Sequence, residues 1–242
     1  GEFISGAILF DETLRQKSGE GVPLSAILER QGIIPGIKVD LGTSALANFP
    51  GEKITRGLDG LRERLSEYRE LGARFTKWRA VLKIGAGLPT RTGIAANAVR
   101  LAMFAALSQE ANLVPIVEPE ILMDGDHTID RCEEVADLTL RTVFDALRDH
   151  RVRLETMLLK PAMILAGVDA RVQPGDDDIA ERTYRCLRRG VPAAVAGVVF
   201  LSGGQNPVEA TTRLAAINRV GALPWALSLS FGRALQEPAL SA

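Results

Sequence analysis

Short apolar or β-branched runs alternate with longer segments of helical periodicity along the whole chain of 242 residues. Strands that are apolar nearly throughout must be covered on both faces, as in a parallel sheet flanked by helices. The alternation therefore predicts an α/β fold, with either a doubly wound sheet or a closed barrel. The seven predicted strands are Gly6–Phe10, Gly36–Val39, Phe75–Ile84, Leu113–Glu118, Thr156–Lys160, Ala196–Ser202 and Ala226–Phe231.

Three intervening segments have an amphipathic helical rhythm: Thr55–Leu71, Asn97–Ala111 and Ile129–Asp149. Ionisable or polar residues follow five different strands. A (β/α)8 TIM barrel builds its active site from many strand ends, whereas a doubly wound sheet concentrates its site at one switch point. We therefore expect a single barrel domain over residues 1–242. With seven of eight strands recognisable, either the first βα unit is missing at the N-terminus or one strand escapes the count.

The charge and cysteine content exclude several classes of protein. The 29 basic and 30 acidic side chains nearly balance, so no basic surplus points to nucleic acid or an anionic membrane. Cys132 and Cys186 lie in separate amphipathic segments, which predicts isolated thiols rather than a disulfide or zinc site. No signal peptide and no membrane-spanning run is recognisable, so we expect a cytoplasmic protein.

Lys160 ends the run Met157–Pro161, where an amine terminates an apolar strand and a proline prevents its continuation. Burial and a neighbouring cation can lower the pKa of a lysine by up to roughly 3–5 units. Only the neutral amine attacks a carbonyl, so such a lysine becomes a nucleophile able to form a Schiff base. The alternative is a strand-end lysine that reaches the surface.

The strand Phe75–Ile84 alternates so that Lys77 and Arg79 point to one face and Trp78 to the other. In a barrel the first face is the interior, and both cations would help to lower the pKa of Lys160. The alternative is a solvated stripe on an edge strand.

Glu118 and Glu120 follow an apolar strand at a spacing that leaves both carboxylates on one side. Carboxylates at that position can exchange protons with a carbonyl-derived intermediate. The alternative is a pair of surface charges at the start of a loop. Asp124–His127 resembles a divalent-metal cluster, but its single His and its Gly fit a turn and a helix cap better, and we expect no metal.

Glycine-containing loops follow the last two predicted strands. Ser202 and Gly203 end one of them, and Gly232 and Arg233 end the other. Exposed backbone N–H groups, a hydroxyl and a guanidinium can together hold a phosphate, and barrels often bind phosphate after their last two strands. Plain turns are the alternative for either loop alone. Lys38 can supply a second anion subsite across the barrel mouth.

A set of motifs resembles class I, Schiff-base fructose-1,6-bisphosphate aldolase. The motifs occur in family order across essentially the whole chain. They are residues 6–14 (GAILFDETL), 35–40 (PGIKVD), 57–61 (GLDGL), 77–79 (KWR), 116–122 (IVEPEIL), 124–127 (DGDH), 158–161 (LLKP) and 200–205 (FLSGGQ).

The resemblance implies reversible, metal-independent cleavage of fructose 1,6-bisphosphate to dihydroxyacetone phosphate and glyceraldehyde 3-phosphate, in glycolysis and gluconeogenesis. Lys160 would form the imine, and Glu118 would be the acid/base that dehydrates the carbinolamine. No cofactor is implied, since the imine itself serves as the electron sink. The resemblance also implies a homotetramer and a phosphorylated sugar as substrate.

The resemblance further assigns the remaining candidate residues. Glu120, Lys77 and Arg79 would orient hydroxyls and hold the electrostatics around the imine. The ketone-side phosphate would be bound by Ser202, Gly203, Gly232 and Arg233, and the aldehyde-side phosphate by Lys38.

The chain also departs from the family pattern. We expect it to be truncated at both ends, because the family has an earlier βα unit bearing an Asp that assists proton transfer, and a flexible tail ending in Tyr. Thr156 replaces a usual Gly, and Ala162 replaces a usual Asn after Lys-Pro. An alternative function is therefore a non-catalytic aldolase-like fragment that binds phosphorylated sugars or partner subunits. A transaldolase or deoxyribose-phosphate aldolase shares the lysine chemistry but not the flanking strings.

Overall fold

The computed structural model describes residues 2–232, and the elements below are those of that part of the chain. Its strands are β1 (Gly6–Leu9), β2 (Ile34–Lys38), β3 (Thr43–Ala45), β4 (Lys53–Thr55), β5 (Phe75–Leu82), β6 (Val114–Ile121), β7 (Leu158–Leu159), β8 (Gly197–Phe200) and β9 (Ala226–Leu229). Its α-helices are α1 (Asp11–Arg15), α2 (Leu24–Arg30), α3 (Leu61–Glu70), α4 (Arg91–Glu110), α5 (Ile129–Asp149), α6 (Asp176–Gly190) and α7 (Pro207–Val220).

Seven strands form one parallel sheet in the order β1-β2-β5-β6-β7-β8-β9. Each strand pairs in parallel with the next one along this order. The order follows the chain without reversal, which excludes a doubly wound sheet, because that fold changes direction at a switch point. The predicted α/β barrel architecture is confirmed, and all seven predicted strands are present within residues 2–232.

Several predicted boundaries were wrong for identifiable reasons. The predicted helix Thr55–Leu71 begins only at Leu61, because Gly60 has a φ of 63°, a left-handed conformation that a right-handed helix cannot contain. The helix predicted from Asn97 begins at Arg91, where the Thr90 side chain accepts a hydrogen bond from the Gly93 N–H at 3.0 Å. The helix Ile129–Asp149 is confirmed at both ends.

Three features of the sheet region escaped the sequence analysis. The antiparallel hairpin β3–β4 is a separate two-stranded sheet, formed by the part of the chain that connects β2 to β5. Its Thr55 hydroxyl donates to the Arg79 carbonyl at 2.8 Å, which ties the hairpin to β5. Strand β6 runs on to Ile121, so that Glu118 and Glu120 lie within the strand and not after it. The start of the predicted strand Thr156–Lys160 is instead a 3-10 helix, Leu154–Thr156.

Strand β5 separates the hydrophobic layer from the polar centre of the sheet. Trp78 is completely buried and stacks on Phe104 of α4, with 5.6 Å between ring centroids. Because side chains alternate along a strand, Lys77 and Arg79 must point to the opposite face. The burial of Trp78 against α4 therefore sets the direction in which the two cations point.

Both cysteines are buried, free thiols, as predicted. Burial raises the pKa of the Cys132 thiol to about 11 and also raises the pKa of Cys186, so both remain protonated at neutral pH. Between residues 2 and 232, no helix combines the length and the apolar character needed to cross a membrane.

We expect Trp78→Ala to lower the free energy of unfolding by about 3–5 kcal/mol, because it removes the largest fully buried ring and leaves a cavity against Phe104. Urea denaturation followed by circular dichroism measures the change. The control is Val172→Ala at an exposed position, which should change it by less than about 0.5 kcal/mol. Equal effects of the two substitutions would contradict the assigned core.

Candidate active site

Charged side chains that lie on, or directly after, four neighbouring strands come together at one place on the sheet. The strand register pairs Lys38 of β2 with Lys77 of β5, and Arg79 of β5 with Glu118 of β6. Lys160 directly follows β7, and its backbone N–H donates to the Val117 carbonyl of β6 at 2.8 Å. Parallel pairing therefore brings together residues that are far apart in the sequence.

Glu118 is the centre of this group, because each of its oxygens faces a different lysine. Its Oε1 lies 3.1 Å from Lys160 Nζ, and its Oε2 lies 3.1 Å from Lys77 Nζ. All three side chains are less than a tenth exposed. A buried carboxylate between two amines is in position to pass a proton to or from a group bound at either one.

The pKa of Lys160 is lowered, and burial is the largest cause. The carboxylate of Glu118 opposes this shift, whereas the charge of Lys77 adds to it. Since the charged amine is the disfavoured form in a buried, cationic environment, more of Lys160 is neutral at a given pH than in an exposed lysine. This is the protonation state that attacks a carbonyl.

Arg79 is paired with a carboxylate of the neighbouring strand. Its guanidinium makes an ion pair with Glu120, and this hydrogen bond raises the pKa of Arg79. Lys77 is a cation among the largest contributors to the lowered pKa of Lys160. Arg79 and Glu120 form a second, mutually neutralised pair beside the three central residues.

Asp40 is a buried member of the site that the sequence analysis missed as a functional residue. Its Oδ1 lies 2.7 Å from Lys38 Nζ, and its Oδ2 lies 3.9 Å from Lys77 Nζ. The signal was available, because Lys38 and Asp40 alternate with the fully buried Val39 and so share one face of the extended chain.

The loop after β8 contains two consecutive glycines with positive φ. Gly203 and Gly204 have φ values of 59° and 100°, a region that favours glycine. The Ser230 N–H donates to the Phe200 carbonyl at 2.8 Å, so the chain segments after β8 and β9 run side by side. Gly232 is exposed at the end of the second segment, and Arg233 lies outside the described residues.

The predicted turn Asp124–His127 packs against the segment that follows Lys160. The Gly167 N–H donates to the His127 carbonyl at 2.8 Å. Burial lowers the pKa of His127, so its ring is neutral at pH 7. Within residues 2–232, no three His, Cys, Asp or Glu side chains come close enough together to hold a metal ion.

The two departures near the nucleophile lie in different places. Thr156 precedes β7, where its hydroxyl accepts a hydrogen bond from Gln109 Nε2 at 2.9 Å, so it is at the opposite end of the strand from Lys160. Ala162 follows Lys160 by two residues and lines two small cavities, of about 20 and 10 Å³. Of the two departures, Ala162 is therefore the one on the Lys160 side of β7.

The model of the family "Fructose-bisphosphate aldolase class-I" matches residues 1–242. The chain belongs to this aldolase family. A probable fructose-bisphosphate aldolase class 1 of Xanthomonas campestris pv. campestris is 54% identical over 239 residues, which are 99% of this chain and 72% of the relative. The cytoplasmic isozyme 2 of fructose-bisphosphate aldolase from Pisum sativum is 54% identical over 243 residues, covering 100% of this chain and 67% of the relative.

A solved aldolase structure has the same fold. Fructose-bisphosphate aldolase from Plasmodium falciparum, in a complex with TRAP and a small-molecule inhibitor, superimposes with a TM-score of 0.97 at 51% sequence identity. The match covers 99% of this chain and 70% of that chain. The predicted aldolase family and barrel fold are thus confirmed.

We expect Lys77→Met to reduce the acetylation of Lys160 about tenfold at neutral pH, because it removes a cation that lowers the pKa of Lys160 and leaves Glu118 paired with Lys160 alone. The measurement is competitive labelling with trace acetic anhydride. Peptide mass spectrometry gives the extent of Lys160 acetylation relative to that of the exposed Lys17. Lys53→Met, at an exposed position, is the matched control. Unchanged or increased labelling of Lys160 in Lys77→Met would refute this electrostatic assignment.

Proposed function

We propose that this aldolase-family chain cleaves fructose 1,6-bisphosphate reversibly to dihydroxyacetone phosphate and glyceraldehyde 3-phosphate, as a lyase of glycolysis. The observation that carries the proposal is the buried arrangement Lys160–Glu118–Lys77, with 3.1 Å at both contacts. The names of the relatives, all fructose-bisphosphate aldolases, support it.

Imine formation begins when the neutral Lys160 amine adds to the ketone carbon of the substrate. Before it attacks, Lys160 passes its ammonium proton to the Glu118 carboxylate, whose Oε1 lies 3.1 Å from Lys160 Nζ. Glu118 then returns that proton to the carbinolamine hydroxyl, which leaves as water. The product is a protonated imine between Lys160 and the ketone carbon. Water exclusion by the surrounding buried residues favours this condensation.

Carbon–carbon cleavage uses the imine as an electron sink. The C4 hydroxyl gives its proton to the Glu118 carboxylate that dehydration has regenerated. At the same time the C3–C4 bond breaks and its electron pair moves into the imine, forming a neutral enamine and releasing the aldehyde product. Protonation of the enamine at C3 and hydrolysis then free dihydroxyacetone phosphate and Lys160. Because the nitrogen accepts the electron pair, the reaction requires no metal or other cofactor.

The other site residues are assigned to charge and orientation. Lys77 keeps positive charge beside Glu118, while Arg79 and Glu120 orient substrate hydroxyls from their shared ion pair. The phosphate on the ketone half of the substrate is assigned to Ser202, Gly203, Gly232 and Arg233. Lys38 is assigned to the phosphate on the aldehyde half.

We place the protein in the cytoplasm, as supported by relatives named the cytoplasmic isozyme of Pisum sativum and the cytosolic aldolase 6 of Arabidopsis thaliana. A single barrel domain over residues 1–242 is supported by the extent of the family match. The resemblance to the family supports a homotetramer, which light scattering of the purified chain tests.

The direct test of the chemistry is borohydride reduction in the presence of dihydroxyacetone phosphate, which converts an imine into a stable secondary amine. We expect one phosphotriose adduct, mapped to Lys160, and its loss in Lys160→Met. Labelling scattered over surface lysines would contradict the proposal. Saturable binding of dihydroxyacetone phosphate without any adduct would instead favour a non-catalytic binding protein.

The phosphate assignment has a separate test. We expect Ser202→Ala to require about tenfold more dihydroxyacetone phosphate for half-maximal adduct formation, because it removes one hydrogen bond to a charged group. Adduct formation with unphosphorylated dihydroxyacetone should not change. The matched control is Ser66→Ala on the exposed face of α3. Equal effects on both ketones would place Ser202 outside the phosphate site.

A further inference from the structure

Asp40 lies where two strands and two lysines converge. It follows β2 by two residues, and its side chain is only 4% exposed. Its Oδ2 accepts the backbone N–H of Arg79 at 3.3 Å, and its Oδ1 accepts the N–H of Gly42 at 3.4 Å. The carboxylate is therefore held in place by the backbone on both sides.

The site forms a line of alternating charges that begins at this carboxylate. Lys77 Nζ is 3.9 Å from Asp40 Oδ2 and 3.1 Å from Glu118 Oε2. Glu118 in turn shares its other oxygen with Lys160, at 3.1 Å. Lys77 is thus shared by two carboxylates, and the nearer of them is the one that contacts Lys160.

We infer that Asp40 is a positioning residue of the aldolase reaction. It competes with Glu118 for the ammonium group of Lys77, and in this way it sets how much positive charge Lys160 faces. The inference rests on the proposed function of Lys160. Without the Asp40 charge, Lys77 has Glu118 as its remaining carboxylate partner at this site, and Glu118 is less available to Lys160. The net charge around Lys160 also becomes more positive by one unit.

Both consequences act on Lys160 in the same direction. The charged groups that act most on its amine are Glu118 and Glu120 from β6 and Lys77 from β5. Arg79 of β5 is bound to Glu120, and Asp40 and Lys38 lie beyond Lys77 on the β2 side. Losing one negative charge from this set disfavours protonation of the amine. Asp40 therefore keeps Lys160 from becoming neutral at too low a pH.

Comparing Asp40→Asn with Asp40→Ala separates the effect of the negative charge of Asp40 from the effect of its hydrogen bond to the Arg79 backbone. An asparagine keeps an oxygen that can accept the Arg79 N–H, whereas Asp40→Ala removes both the charge and the acceptor. A purely structural role would show as a lower unfolding free energy in Asp40→Ala and no change in the reactivity of Lys160 in Asp40→Asn. The control for the loss of one carboxylate is Asp177→Asn on α6, an exposed position that has no ion pair among residues 2–232.

The experiment is the pH profile of Lys160 acetylation relative to Lys17, between about pH 6 and pH 11. We expect Asp40→Asn to raise the relative reactivity of Lys160 about three- to tenfold at pH values where the amine is mostly protonated, shifting the profile to lower pH. Asp177→Asn should match the wild-type chain. A profile of Asp40→Asn that coincides with wild type, or moves to higher pH, overturns the inference.

The result remains distinguishable from a failure of the proposed function. If wild-type Lys160 forms no phosphotriose adduct with dihydroxyacetone phosphate, the function fails whatever Asp40 does. If wild type forms the adduct and Asp40→Asn leaves both the acetylation profile and the adduct rate unchanged, only the role of Asp40 is refuted. Urea unfolding of each variant confirms that differences in reactivity come from folded chains.

Discussion

One buried carboxylate, Glu118, determines what this site can do. A buried lysine would have its pKa lowered by desolvation alone, and an unopposed pair of buried lysines would repel each other. By placing one oxygen on Lys160 and the other on Lys77, both at 3.1 Å, Glu118 compensates both cations without fully neutralising either. The same contact puts a proton donor beside the carbon that Lys160 would attack.

The alternation of side chains along the strands positions Lys77 for its contact with Glu118. Trp78 fixes the outer face of β5 against α4, and Lys77 is consequently directed inward. The β5–β6 register then brings Arg79 opposite Glu118, and the short β7 ends just before Lys160. A slip of one residue in β5 would exchange Trp78 for its charged neighbours and abolish both the core and the site.

Much of this could be predicted from sequence, because apolar strand runs and strand-end charges are local signals. Lys160 and Glu118 were recognisable by their predicted positions at strand ends, and Lys77 by its alternation with Trp78 along one strand. The hairpin β3–β4 was not, since its strands have three residues each and carry little periodicity. Asp40 escaped as a functional residue because its role depends on contacts with Lys77 and the Arg79 backbone, which are 37 and 39 residues away in the chain. The pairing of Arg79 with Glu120 is likewise a contact between two strands that no local pattern in the sequence indicates.

Burial and Lys77 together lower the pKa of Lys160 despite its contact with Glu118. The most direct measurement is an NMR titration of the chain with ¹³C-labelled lysine side chains, in which the Lys160 signal is identified by its loss in Lys160→Arg. We expect this signal to titrate at a lower pH than the signals of the exposed lysines. A Lys160 signal that titrates together with them, or at a higher pH, would contradict it.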